Sequence, residues 1–347
     1  MKAAFSATAR RLSVGVLGCA LAGSVALVAT PAHAVPRAST SASVPCIKPT
    51  SRPTKWRASA DTERVSARTS AEVTAVVASA ARSATMRASR ADATGQARAA
   101  APGHIVVPVL IHLIHGRHRH EHRISKRAAR RMFYTLKAGY AGAQDPASGP
   151  TGVSFVLKKI TVTRNEAWYH AAPYSRADKQ MKNRLHRGRA RVLNIYVNRP
   201  RSYGAPLLGF SVFPWQHRSR PKLDGVTVSD VSLPGGAAAG YNLGDTVIHE
   251  TGHWLGLLHT FEGGCEDRDG VADTPAEAQA SFRCDERNTC DTPIFVDPAN
   301  PAAPPIDLPD PIHNFMDYSY DFCMYQFTPG QDARMIALFM HYRYGRR

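Results

Sequence analysis

Beyond its N terminus, the sequence lacks an apolar run long enough to cross a membrane. The β-rich stretch at residues 105–114 is far shorter than the roughly 20 residues that a spanning helix needs. Paired C-x-x-C motifs are also missing, which argues against a cysteine zinc knuckle. The net charge is +17, but no aromatic residues are interleaved with the basic ones as in a nucleic-acid platform. We therefore expect no nucleic-acid partner and no stable membrane insertion once a signal has been removed.

The N terminus has the features of an export signal. Lys2, Arg10 and Arg11 precede an apolar stretch over residues 12–28, and Ala32-His33-Ala34 fits a small-x-small cleavage site. A membrane anchor is the alternative, but the shortness of the run and its glycines and serines disfavour it. We predict a signal peptide over residues 1–34 and a secreted, extracellular protein.

Residues 35–100 differ in composition from the rest of the chain. Ala, Ser, Thr, Arg and Pro dominate, and large apolar residues are few. Such a segment buries too little surface to offset the entropy of ordering, so a low-complexity pro-segment or linker is predicted. A weak helix is expected only at residues 63–81, where alanine is common. The folded domain is expected over residues 101–347.

Periodicity predicts a mixture of strands and helices in this domain. A helix is predicted at residues 126–141, with Ser125 as its N-cap. A last helix is expected near residues 331–342. Strands are predicted at residues 105–114, 152–162, 192–197, 207–215 and 224–231, the fourth as the edge of a sheet.

The motif with the clearest chemistry begins at His249. His253 follows four residues later, so on a helix the two rings lie on one face and can bind one metal ion. Gly256 allows the backbone to leave the helix, and His259 can then supply a third ligand. Three imidazoles with an open fourth position predict one catalytic Zn²⁺. Glu250, beside the first ligand, is suited to act as general base towards water activated by zinc.

The motif carries a family resemblance. The run HETGHWLGLLHTF resembles the long zinc signature of the metzincin peptidases. Together with Asp273-Thr274-Pro275 and the segment NFMDYS at residues 314–319, it resembles the pappalysin-like branch. The resemblance implies an α+β fold with a twisted mixed sheet and helices above the cleft and an irregular, disulfide-linked subdomain below. It also implies a secreted zinc endopeptidase that acts on protein or peptide substrates, made as a latent precursor.

The same resemblance suggests roles for two residues near the end of the chain. Met316 corresponds to the methionine turn, an apolar support beneath the zinc ligands. Tyr318 is placed to stabilise the negative charge that develops on the peptide carbonyl oxygen. The alternatives are an inactive zinc-binding interaction protein, which the intact Glu250 disfavours, and a zinc hydrolase of non-peptide amides.

Four cysteines lie in the C-terminal part of the folded domain, and in an exported protein they are expected to form disulfides. The sequence alone allows three pairings, and the resemblance implies Cys265–Cys290 and Cys284–Cys323. Cys46 is then left unpaired in the predicted pro-segment. Its thiolate is a candidate zinc ligand that would keep the precursor latent, with a chance free thiol or an intermolecular disulfide as the alternatives.

Two further expectations concern carboxylates. Asp267, Asp269 and Asp273 lie in an acidic loop that either binds a structural Ca²⁺ or remains solvated. Asp321 follows the methionine turn, where metzincins form the wall of the pocket for the residue after the scissile bond. A carboxylate there would favour Arg or Lys. The alternative is that Asp321 only caps a helix or faces solvent.

Overall fold

The computed structural model of the chain describes residues 67–93, 103–117, 124–202, 205–265, 269–290 and 308–344. All of these lie in one compact unit, Thr50–Arg347. The predicted signal peptide over residues 1–34, Cys46 and Asp267 lie outside the described residues. No described helix combines the length and apolar character needed to cross a membrane.

The described elements mix strands and helices up to the motif at His249, and the last of them is a helix. The helices are α1 (Ala67–Ala93), α2 (Lys126–Tyr140), α3 (Glu166–Tyr169), α4 (Arg176–Leu185), α5 (Thr246–Leu255) and α6 (Pro329–Leu338), which continues as a π-helical turn (Phe339–Arg343). The strands are β1 (Ile105–His115), β2 (Val153–Arg164), β3 (Leu193–Asn198), β4 (Arg201–Ser202), β5 (Ala205–Pro206), β6 (Gly209–Ser211) and β7 (Val226–Ser229).

Five of the strands form one mixed sheet in the order β2-β1-β3-β7-β6. The first four are parallel to one another, and β6 pairs antiparallel with β7. On β1, Ile111 pairs with Ile160 of β2 on one side and with Ile195 of β3 on the other. The sheet therefore has β6 as an edge strand, and the fold is the mixed α/β class that the resemblance implied.

The core lies between the sheet and the helices that cover it. Met132, Phe133, Leu136 and Tyr140 recur at helical spacing on α2 and are buried, as the sequence pattern predicted. Ser125 caps this helix by accepting the backbone N–H of Ala128 at 3.0 Å. The buried face of α2 packs with α5 and the sheet, so the core supports the zinc-binding helix directly.

Two elements differ in length from the sequence-based expectation. The predicted edge strand at residues 207–215 is reduced to Gly209–Ser211, because residues 214–216 turn into a short 3₁₀ helix that starts at Pro214. The weak helix expected at residues 63–81 is instead a helix of 27 residues, α1. Contacts with the C-terminal helix supply the stability that the sequence of α1 alone did not predict.

The described residues between His259 and the start of α6 are irregular. They form one isolated bridge, between Asn314 and Gln326, and no longer strand. Disulfides join Cys265 to Cys290 and Cys284 to Cys323, with Cα–Cα distances of 5.6 and 5.8 Å. This is the pairing that the resemblance implied.

Candidate metal centre

The predicted zinc-binding motif begins in α5, whose ten residues are all buried. The helix ends at Gly256, which has φ of 105° and ψ of 15°, in the left-handed region that glycine adopts without strain. A Cβ at this position would also collide with Leu338 of α6. The backbone therefore turns sharply here and brings His259 back towards the helix.

The three histidines converge on one point. His253 Nε2 lies 3.1 Å from His249 Nε2 and 3.0 Å from His259 Nε2. In the part of the chain that the structure describes, these three form the one group of at least three His, Cys, Asp or Glu side chains whose ligand atoms come within 4.8 Å of one another. The sequence pattern predicts the same three residues as ligands of a single metal ion.

Hydrogen bonds fix the orientation of two of these rings. His249 Nδ1 lies 2.7 Å from the carbonyl oxygen of Phe315, and His253 Nδ1 lies 2.8 Å from that of Leu257. A carbonyl only accepts hydrogen bonds, so Nδ1 carries the proton and each Nε2 lone pair faces the centre. This arrangement selects the tautomer that a metal ion requires.

Burial keeps the same rings neutral. It lowers the pKa of His249 to about 4, although hydrogen bonds to the backbone carbonyls of Phe315 and Asp317 oppose the shift. Burial, together with the neighbouring histidines, lowers the pKa of His253 well below its usual value. Three buried nitrogen donors, with His249 and His253 neutral, fit Zn²⁺.

Glu250 is a buried residue of α5, and its side chain lies against the edge strand β6. A Cβ at Gly209 of β6 would come within 2.6 Å of Glu250 Oε1. The missing side chain at Gly209 therefore makes room for the Glu250 carboxylate beside the edge of the sheet. Gly209 was not among the predicted site residues, although a glycine inside a predicted strand indicates such a close approach.

Met316 and Tyr318 approach the histidines from the irregular part of the chain. Met316 is fully buried, and its sulfur packs so closely on Gly252 of α5 that a Cβ there would collide with it. The Tyr318 hydroxyl lies 3.0 Å from His259 Nε2. The ring of Phe261 stacks on that of His259, with centroids 4.7 Å apart, and also contacts Tyr318. The residues expected at the methionine turn therefore lie next to the histidine cluster and the helix that carries it.

The structure places Asp321 at the beginning of the zinc-binding helix. Asp321 Oδ2 accepts backbone N–H groups from Leu243, Gly244 and Asp245, at 2.7, 3.0 and 3.4 Å. Asp321 and Asp245, both buried, line a surface cavity of about 600 Å³ whose apolar side chains include Phe322 and Met324. Burial raises the pKa of Asp321 despite these hydrogen bonds. These hydrogen bonds are those of a helix cap, which was raised as an alternative to a specificity pocket for this residue.

The two described carboxylates of the acidic loop have different surroundings. Asp273 accepts the Thr328 hydroxyl at 2.6 Å and the Gly330 N–H at 2.7 Å, so it holds the beginning of α6. Asp269 Oδ1 accepts the Val271 N–H at 3.0 Å, and the buried Asp269 carboxylate also interacts with the side chain of Thr274. Burial raises the pKa of Asp269 to about 7, although the nearby Arg334 opposes the shift.

A buried ion pair behind α5 was not anticipated. Arg343 donates to both carboxylate oxygens of Asp224, at 2.9 and 3.2 Å, and to the Trp254 carbonyl at 3.0 Å. Its guanidinium lies 3.7 Å from the centroid of the Trp254 ring. Arg343 belongs to a basic run at the end of the sequence, which resembles a solvated tail, so only the fold indicates its partner.

Comparisons with known proteins agree with this geometry. Residues 177–340 match a peptidase family model described as pregnancy-associated plasma protein-A. Over 200 residues the chain is 41% identical to an extracellular metalloprotease of Pyricularia oryzae. The aligned region covers 57% of this chain and 64% of that protein. Over 202 residues it is 40% identical to an extracellular metalloprotease of Arthroderma otae, covering 57% of this chain and 67% of that protein. The chain thus spans less than two thirds of the Pyricularia relative.

A solved structure shares the fold. It is mature mirolysin of Tannerella forsythia in complex with a cleaved peptide, with a TM-score of 0.53 and 27% sequence identity. The match covers 68% of this chain and 92% of mirolysin.

Proposed function

We propose that this chain, which belongs to the pregnancy-associated plasma protein-A, or pappalysin, family of metallopeptidases, is a secreted zinc-dependent endopeptidase. The observation that carries the proposal is the convergence of His249, His253 and His259 beside the buried carboxylate of Glu250. The names of the relatives support an extracellular location.

The three imidazoles would hold the zinc ion. When bound, zinc polarises a peptide carbonyl and lowers the pKa of a water molecule. Glu250 takes a proton from the attacking water and passes it to the leaving amine. The Tyr318 hydroxyl, close to His259 Nε2, donates a hydrogen bond to the carbonyl oxygen as its negative charge grows.

The edge strand gives the substrate its orientation. β6 is the last strand of the sheet, so its outer backbone groups can pair with an extended peptide. Gly209 lies on this strand directly against Glu250. A peptide that pairs with β6 therefore passes close to the general base.

Three finer parts of the proposal concern specificity, calcium and latency. Asp321, whose carboxylate follows the predicted methionine turn, favours a basic residue after the scissile bond. Asp269, a buried carboxylate of the acidic loop, contributes to a structural calcium site. The segment over residues 35–100 keeps the precursor latent until it is cut near residues 90–104, with Cys46 as the zinc ligand.

Metal content and proteolysis test the proposal together. The purified secreted protein should hold about one zinc ion per chain and cleave casein. Glu250→Gln should keep the zinc and lose turnover by about a hundredfold to ten-thousandfold. Glu286→Gln, the same change at an exposed position, is the matched control. If Glu250→Gln remains as active as the parent, Glu250 is not the base. A protein that binds zinc but cleaves neither casein nor peptides would support the inactive alternative.

The latency step has its own test. Cys46→Ala should yield a precursor that becomes active sooner than the parent chain. A Cys46→Ala precursor that stays equally latent would dismiss the thiol as the inhibitory group.

A further inference from the structure

Helix α1 carries a narrow apolar stripe. Val73 is 3% exposed, and Val76 and Val77, three and four residues further on, are partly buried. Ala71 and Ala75, on the opposite face, are exposed. The spacing is that of one helix face, so α1 is amphipathic through a few valines rather than through a long hydrophobic pattern.

The stripe contacts a defined surface of the folded domain, which we call the docking surface. It consists of Trp215, Leu338 and Tyr342, which form one apolar cluster with the three valines. At the edge of the contact, Glu72 Oε1 lies 3.4 Å from His341 Nε2. Among the described residues, the helix packs chiefly on α6 and the turn that follows it.

The docking surface lies directly behind the metal centre. Trp215 stacks on Phe213, with ring centroids 4.7 Å apart, and the rings of Phe213 and His253 meet edge to face with centroids 5.2 Å apart. Leu338 also packs against Gly256, the residue at which the chain turns towards His259. The docked helix therefore covers the layer of side chains that supports two zinc ligands from behind.

We propose that α1 is a docking helix that retains the N-terminal segment on the folded domain after the chain has been cut between α1 and β1. The contact is made by side chains and does not require a continuous chain, since α1 ends at Ala93 and β1 begins at Ile105. Everything N-terminal to the cut, Cys46 included, stays covalently attached to α1. Cleavage and release are then separate events, and release requires the valine stripe to leave the docking surface.

The experiment separates cutting from release. The full chain, carrying Glu250→Gln to prevent self-cleavage, receives a recognition sequence for a specific protease between residues 93 and 103. After complete cutting, size-exclusion chromatography at micromolar concentration shows whether the N-terminal fragment elutes with the domain. We expect the two to elute together. A fragment that elutes separately would overturn the proposal.

Matched variants test the face of the helix. Val73→Asp with Val77→Asp places two charges on the docking face, and Ala71→Asp with Ala75→Asp places them at the same spacing on the exposed face. The control loses two alanines and so costs more intrinsic helix propensity. We nevertheless expect it to remain bound, whereas the docking-face variant should bind at least about tenfold more weakly. Equal retention of both variants would overturn the proposal.

If the docking-face variant does not fold as a full chain, a peptide displacement experiment on the parent chain is used in its place. An excess of a synthetic peptide of residues 67–93 should release the cut fragment from the parent domain. The same peptide with the Val73 and Val77 substitutions should not, and equal release by both would overturn the proposal. All these readouts measure binding, so they stand or fall independently of peptidase activity.

Discussion

The two regions of the folded domain are stabilised in different ways. In the upper region, residues 103–258, the sheet and its helices satisfy their own backbone groups and bury apolar faces in one core. In the lower region, residues 259–344, the described residues before α6 have little regular structure, and buried charges and disulfides stabilise them instead. Arg287, for example, donates to both Glu277 and Asp310 at 2.7 Å. Regular structure thus needs apolar patterning, whereas irregular structure needs specific polar partners.

The largest effect is expected where the two regions are joined by a buried charge. Arg343→Met leaves Asp224 buried and without its cation, which should cost about 3–5 kcal/mol and lower Tm by roughly 10 °C. Thermal unfolding of the zinc-loaded protein measures this. Arg283→Met, at an exposed position, is the control, and Asp224→Asn combined with Arg343→Met should recover part of the loss. A Tm unchanged by Arg343→Met alone would show that the pair does not join the regions.

The pH dependence of the same pair has a definite sign. Burial by itself raises the pKa of Asp224, but Arg343 and His217 bring it below its usual value. The unfolded chain therefore takes up the proton at a higher pH than the folded one does. The stabilisation by this carboxylate is complete above about pH 4 and is lost as the pH falls below that value. Arg343→Met should remove this acid sensitivity.

The sequence predicts the upper region better than the lower one, for physical reasons. The candidate zinc ligands lie within eleven residues of sequence, and β1 is a largely apolar run, so both signals are local. The partners of Asp321 are backbone N–H groups almost eighty residues away, and a sequence pattern does not record such a contact. The docking of α1 was missed because three valines in an alanine-rich segment give a weak signal.

The next largest effect on stability is expected in the lower region alone, on removal of a disulfide. Replacing Cys265 and Cys290 together by Ala should cost about 2–4 kcal/mol, because the open loop gains entropy in the unfolded state. Hydrogen exchange should rise in residues 269–290 and stay unchanged in β1. The matched change at Cys284 and Cys323 should also leave β1 protected. Equal loss of protection in β1 would mean that the two regions unfold as one unit.

A smaller effect is expected at Asp269. Burial raises its pKa to about 7, so the folded chain keeps a proton that the unfolded chain loses near pH 4. Stability should therefore fall as the pH rises from about 4 to about 7. Calcium binds the ionised carboxylate, so added calcium should raise Tm by a few degrees at pH 8 and hardly at pH 5.

Thermal unfolding at saturating zinc, with and without calcium, measures the pH dependence of Tm and the Tm shift caused by calcium. Asp269→Asn should remove both effects, and Asp285→Asn, at an exposed position, should remove neither. An equal calcium shift at pH 5 and pH 8 would exclude Asp269 as a ligand.

The smallest effect on stability, and the sharpest on specificity, is expected at Asp321. This lower-region carboxylate accepts three backbone N–H groups that precede the upper-region helix α5, and Asn can still accept them through its side-chain oxygen. Asp321→Asn should therefore change Tm little, while removal of the negative charge lowers any preference for Arg or Lys after the scissile bond by about tenfold. Cleavage-site profiles on a denatured proteome digest measure this preference. Asp321→Ala, which also removes the acceptor, should lower both Tm and the preference. Unchanged profiles in both variants, with a lower Tm in the second, would assign Asp321 to the junction between the regions and not to substrate recognition.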